Sequence, residues 1–156
     1  MTGNSCYTCE REAAVDALPP RERIAIDEHW RVAHAFDSAL PGWLVLLPRR
    51  HVTAIAELTD AEAAVLGTWQ VRLSRALHAV TGCVKTYVLQ YAEAPGLGEP
   101  GFGHVHFHVV PRAADLSEEL RGPQVFGLLE REPLSPEQMD AVALRLREAL
   151  GEHATR

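Results

Sequence analysis

The chain is poor in cysteine, in positive charge and in long apolar runs, and each shortage removes a class of protein. It has 3 cysteines in 156 residues: Cys6 and Cys9 as a C-x-x-C pair, and Cys83 alone. So few, and odd in number, they do not suit a disulfide framework. Lys and Arg number 15 against 21 Asp and Glu, a formal net charge of -6. That balance argues against a broad nucleic-acid surface and leaves room for a small anion in a locally basic pocket. No apolar run approaches the roughly 20 residues that cross a bilayer, and the N-terminus lacks a signal-peptide core. The sequence therefore predicts a cytoplasmic protein with no membrane and no nucleic-acid partner. Internal repeats and linkers are lacking too. With 47% hydrophobic and 23% charged residues, a single domain over residues 1–156 can bury its own core.

What the chain concentrates is histidine. Three of its 8 histidines alternate in His104-Val105-His106-Phe107-His108. A Gly-rich loop, Gly96 to Gly103, precedes them, and Val109-Val110-Pro111-Arg112 follows. On a strand the imidazoles would line one face while Val105, Phe107 and Val109 entered a core on the other. An ordinary half-buried strand can use histidine as its polar member, and three imidazoles can also hold a metal. A cluster of three titratable rings reads best as an active site. The C-x-x-C pair is either a redox couple or half of a zinc site. Redox pairs sit at a helix start inside a βαβ unit, and nothing before Cys6 predicts such a strand. A tetrahedral zinc needs two further ligands, which must come from the histidines. Cys83 reads as a small inert hydrophobe.

The remaining pattern predicts an α+β fold with a mainly antiparallel sheet. Ile24–Ile26 and Trp30–Phe36 read as short strands, and Pro41-Gly42 as a turn. The apolar run Trp43–Leu47 reads as a central strand ended by Pro48. Thr59 and Glu62 form a capping box. Ala63, Leu66, Trp69, Leu73, Leu77 and Val80 then make one apolar helix face, closed by Thr81-Gly82. Lys85–Tyr91 reads as a strand, Arg121–Pro133 as irregular, and Ser135-Pro136-Glu137-Gln138 as the start of a last helix.

These residues resemble the histidine triad family. His104 to Val110 matches its H-φ-H-φ-H-φ-φ pattern, φ being apolar, at every position. The segment from Leu40 to Val52, with its proline-glycine turn, apolar strand and Pro-Arg-Arg-His, is similar to the family's upstream block. The likeness runs over residues 6–112, leaving 113–156 as a C-terminal extension. It implies a nucleotide hydrolase acting at an α-phosphate, of the phosphoramidate or dinucleoside polyphosphate type. The intermediate is a covalent nucleotidyl-histidine on His106, an imidazole being suited to nucleophilic attack near neutral pH. His108 would contact the phosphate, and histidine rather than glutamine there favours hydrolysis over nucleotidyl transfer. Asp37 and His34 would lie near the nucleotide, although a turn aspartate and a satisfied core histidine explain them as well. The resemblance also implies a structural zinc on Cys6, Cys9, His51 and His104, and a homodimer formed through the long helix and a strand. Trp69 and Leu73 are candidates for that interface or for the core. Arg49, Arg50 and Arg112 could steer phosphate or be solvated. Glu93, Pro100 and Gly101 depart from the family's pattern near the phosphate, Glu93 being a repellent neighbour there or a ribose contact. A non-catalytic nucleotide-binding or zinc-stabilised interaction module is the alternative.

Overall fold

The computed structural model describes residues 6–92 and 103–153. Glu93 and all of the Gly-rich loop except Gly103 lie outside them. Among the described residues five strands form one antiparallel sheet: β1 (Ala25–Ile26), β2 (Trp30–His34), β3 (Leu44–Pro48), β4 (Lys85–Leu89) and β5 (Phe107–Arg112). Their spatial order is β1-β2-β3-β5-β4, so the triad strand lies beside the apolar central strand and β4 is an edge.

Residues opposite one another in an antiparallel pair share a face, so the register sorts the sheet. Val32, Leu46 and Phe107 align, as do His34, Leu44, Val109 and Val88. Val32, Leu46, Phe107 and Val109 pack with Leu73, Leu77, Ala143 and Leu146 in the main core, under helices α3 (Leu66–Thr81) and α4 (Pro136–His153). The other face carries Ala33, Val45, His108 and Leu89 in one row. Beside that row Trp43 and Val110 form a second core with Val125 and Leu128. The last two come from a stretch of 3-10 turns over Gly122–Glu130, where the sequence predicts irregular chain.

The helices follow their caps, with two departures. Thr59 and Glu62 make the predicted reciprocal capping box, Ser135 and Gln138 make another, and Gly82 closes α3 with φ +70°. The predicted single helix, however, is two: α2 (Asp60–Ala64) and α3, broken at Val65. The Glu62 carbonyl, which a continuous helix would hand to Leu66, accepts instead from the buried Trp30 indole at 2.9 Å. The second departure is α1 (Tyr7–Ala13), a helix that begins directly at the C-x-x-C pair. At this length it is marginal alone. Glu12 ties it to the sheet, accepting from Arg31 Nε at 3.1 Å and from Arg49 Nε at 2.5 Å. Trp69 and Leu73, candidates for a dimer interface, are 4% and 0% exposed within the chain's own core. They are therefore core residues, not an interface.

Candidate active site and metal centre

The triad run is not one continuous strand. β5 begins only at Phe107, and His104 is drawn out of line, 2% exposed. Its Nε2–H donates to the Pro48 carbonyl at 2.8 Å, which leaves the Nδ1 lone pair aimed at the thiols. Cys6 Sγ lies 3.5 Å and Cys9 Sγ 3.7 Å from that nitrogen. His51 Nδ1 is 3.2 Å from Cys9 Sγ. One donor atom from each of the four residues falls within 4.8 Å of every other. A tetrahedral zinc with bonds of about 2.0–2.3 Å would space its ligands by about 3.3–3.8 Å, so the constellation fits the ion. The donor set is closed, with two sulfurs and two imidazoles and no position for substrate, and such a site is structural. Burial and the neighbouring Cys6 push the Cys9 thiol up to about 11. A bound cation would reverse that shift, because it favours the thiolate.

The scaffold around the ligands is local and rigid. Cys6 caps α1, its sulfur accepting from Cys9 N–H at 3.5 Å. Arg49 and Arg50, which flank the end of β3, are committed to structure. Arg49 binds Glu12 and the Asp27 carbonyl; Arg50 binds Glu62, which its guanidinium holds below the usual carboxylate range. These anchors fix the turn that presents His51.

His106 and His108 form a second, separate pair. Their ring centroids are 4.9 Å apart at an interplanar angle of 80°, and both rings are half-buried. His106 Nδ1–H donates to the His104 carbonyl at 2.7 Å, so its Nε2 carries the lone pair. His108 Nδ1 accepts from the Trp43 indole at 3.0 Å. Burial, with His106 beside it, pulls the His108 pKa down to about 3, so the ring is neutral at pH 7. Phe126 sets its ring edge-on to both His108 and Trp43, with centroids at 5.0 and 5.6 Å. No group of potential metal ligands joins His104, His106 and His108 among the described residues.

His34 is placed away from this pair. It shares the helix-covered face with Leu44 and Val109 and is 4% exposed. Both nitrogens are occupied: Nδ1–H donates to the Ala35 carbonyl and Nε2 accepts from Gly42 N–H, each at 2.9 Å. With both nitrogens engaged, it anchors the Gly42 turn from the helix-covered face of the sheet. Asp37 is exposed in the turn after β2. Cys83 is buried in the main core, as the sequence predicts. Sequence reasoning missed Trp43 and Phe126. Trp43 reads as one more apolar residue of a central strand, and Phe126 stands in a stretch without periodicity.

No protein-family profile matches the sequence. Among solved structures the chain is similar to a zinc-bound histidine triad family protein from Mycobacterium smegmatis. The TM-score is 0.71 and the identity 20%, over 98% of this chain and 99% of that one. It is also similar to a hypothetical histidine triad nucleotide-binding protein from Sulfolobus tokodaii, with TM-score 0.69 and 15% identity over 94% and 93% of the two chains. A uridylyltransferase gives a TM-score of 0.61 at 20% identity, covering 92% of this chain and 45% of that one. The chain has the histidine triad fold. No helix among the described residues is long and apolar enough to cross a membrane.

Proposed function

We propose that the chain is a histidine triad nucleotide hydrolase whose nucleophile is His106 Nε2. The observation that carries this reading is the hydrogen bond from His106 Nδ1–H to the His104 carbonyl at 2.7 Å. It fixes the tautomer that leaves Nε2 basic, and it orients that nitrogen beside His108. In the first step the Nε2 lone pair attacks the α-phosphorus and a P–N bond forms. The bond from phosphorus to the leaving amine or phosphate breaks, and that group takes a proton from water if it needs one. In the second step water attacks phosphorus, the P–N bond breaks, and the water proton is released to solvent. His108 hydrogen-bonds the phosphoryl oxygens as charge develops on them. Asp37 is the ribose contact in this reading.

Zinc on Cys6, Cys9, His51 and His104 supplies rigidity alone, tying α1 to the residue whose carbonyl holds His106. The zinc-bound neighbour supports the choice of ion. The edge position of β4 among the described residues, with Val84 just before it 51% and Val88 within it 44% exposed, supports pairing of two copies into a homodimer. Light scattering after gel filtration should return twice the chain mass.

The test is intact-protein mass spectrometry after brief exposure to an adenosine phosphoramidate, wild type beside His106→Ala. A transient nucleotidyl adduct on the wild type alone is expected. With no adduct and no turnover across a nucleotide panel, the reading gives way to a non-catalytic nucleotide-binding module. An adduct that persists until a second phosphorylated acceptor is added would make the protein a nucleotidyl transferase.

A further inference from the structure

Trp43 contacts the triad through a group that can act in only one direction. An indole N–H donates and never accepts. Its Nε1 lies 3.0 Å from His108 Nδ1, so that nitrogen must present its lone pair. In a neutral imidazole the proton then sits on Nε2.

The indole is held from every side. It is 0% exposed. The backbone before it turns through Gly42 at φ +88°, a conformation that favours glycine. A Cβ at Gly42 would also meet Leu77 Cδ2 and Thr81 Cγ2 at 3.1 Å. The Gly42 N–H is bound by His34 Nε2, and the Trp43 carbonyl accepts from Ala35 N–H at 2.9 Å. On the ring itself, Phe126 packs edge-on at 5.6 Å. A buried indole N–H left without an acceptor is destabilising, and protonating His108 on Nδ1 would do that and also set two donors face to face.

We propose that Trp43 is a positioning residue that locks His108 as the Nε2–H tautomer, so that His108 offers a phosphoryl group one hydrogen-bond donor and no transferable proton. The role in turnover rests on the function proposed above; the tautomer itself does not. His34 belongs to the same device: it grips the Gly42 turn from the far face of the sheet, and the turn aims the indole. Phe126, from the C-terminal extension, closes the remaining side.

The experiment uses the full chain labelled with 15N in histidine and tryptophan, without nucleotide. Long-range 1H–15N correlation should show His108 as Nε2–H. A scalar coupling across the hydrogen bond should link Trp43 Nε1 to His108 Nδ1. Trp43→Phe keeps an aromatic ring and removes the donor; a second tautomer of His108 should then appear. The kcat for nucleotide turnover should fall on the order of tenfold to a hundredfold, with KM little changed. Phe126→Leu, which leaves the indole N–H in place, should retain the Nε2–H form. An Nδ1–H signal for His108 in the wild type, or no coupling to Trp43, overturns the proposal even if Trp43→Phe does not fold. These spectra need no substrate, so a protein that forms no nucleotidyl adduct loses its proposed function while the tautomer result stands.

Discussion

His104 and His108 stand four positions apart in one short run, and the same side chain does opposite things at the two places. At His104 a main-chain carbonyl takes the Nε2 proton and leaves Nδ1 to face two thiols. At His108 an indole takes the Nδ1 lone pair and leaves the proton on Nε2. His106, between them, donates a hydrogen bond from Nδ1–H to the carbonyl of His104. An imidazole has two nitrogens and one proton when neutral, so whichever nitrogen the scaffold engages decides what the other offers. Here the partner of each ring, and not the ring's place in the motif, decides which nitrogen is left with a lone pair and which with a proton.

The largest expected break of this pattern falls on the middle ring. On the proposed mechanism, in which His106 is the covalent nucleophile, His106→Ala should lower nucleotide turnover by at least about a thousandfold. The side chain is half-buried and outside the ligand set, so Tm should move by only a few degrees, which thermal unfolding would check. The metal end should respond the other way. Cys9→Ser, or a strong chelator, should drop bound zinc from one equivalent per chain, measured by elemental analysis. A metal held at 1,000 times its Kd contributes about 4 kcal/mol to the folded state, so its loss should lower Tm by roughly 10 °C. A fall in turnover without a fall in Tm would place the metal in the chemistry instead.

Much of this division can be read in the sequence, and the unread part is long-range. The alternation of residues 104–110 correctly sends Val105, Phe107 and Val109 to the core, because side-chain period is a local property of extended chain. The same alternation cannot show that His104 leaves the strand, since its partners are the Pro48 carbonyl and a pair of thiols near the other end of the chain. The placement of His34 is hidden for a related reason. Which face it occupies depends on the pairing of β2 with β3 and of β3 with β5, and a single strand's pattern is silent about its neighbours' register. The four metal ligands were legible through resemblance, because their spacing reflects a shared fold. α1 was not: it is organised by Glu12 reaching two arginines on the sheet. The break at Val65 has no local signal either, because the competitor for the Glu62 carbonyl is Trp30, 32 positions earlier.

A third expectation concerns acid. The folded pKa of His108 is about 3, against about 6.5 in an unfolded chain. As pH falls the unfolded state takes the proton first, so unfolding is favoured. The stability that depends on the neutral ring is fully present above about pH 6.5 and is lost progressively as pH falls towards 3. One such group amounts to about 2 kcal/mol at pH 5. Urea unfolding at pH 7.5 and pH 5 should show a loss of that order. His108→Asn, whose amide oxygen can still accept from the Trp43 indole, should remove that part of the slope. An unchanged slope would mean that His108 is not the group being titrated.

Phe126→Leu should give the smallest effect and draw the finest distinction. The phenyl edge lies against His108 and Trp43, and such aromatic pairs contribute about 0.5–1.5 kcal/mol beyond the area they bury. Tm should therefore fall by a few degrees. Desolvation is the leading cause of the depressed His108 pKa, and the smaller aliphatic side chain would cover the ring less completely. The His108 resonance should begin to titrate at a higher pH than in the wild type, while the zinc content, set by ligands that Phe126 does not touch, stays at one equivalent. If zinc and the His108 titration moved together, the two ends of the triad would be one coupled site and the contrast between them would fail. If only the titration moved, the C-terminal extension would control the donor ring while leaving the ligand ring alone.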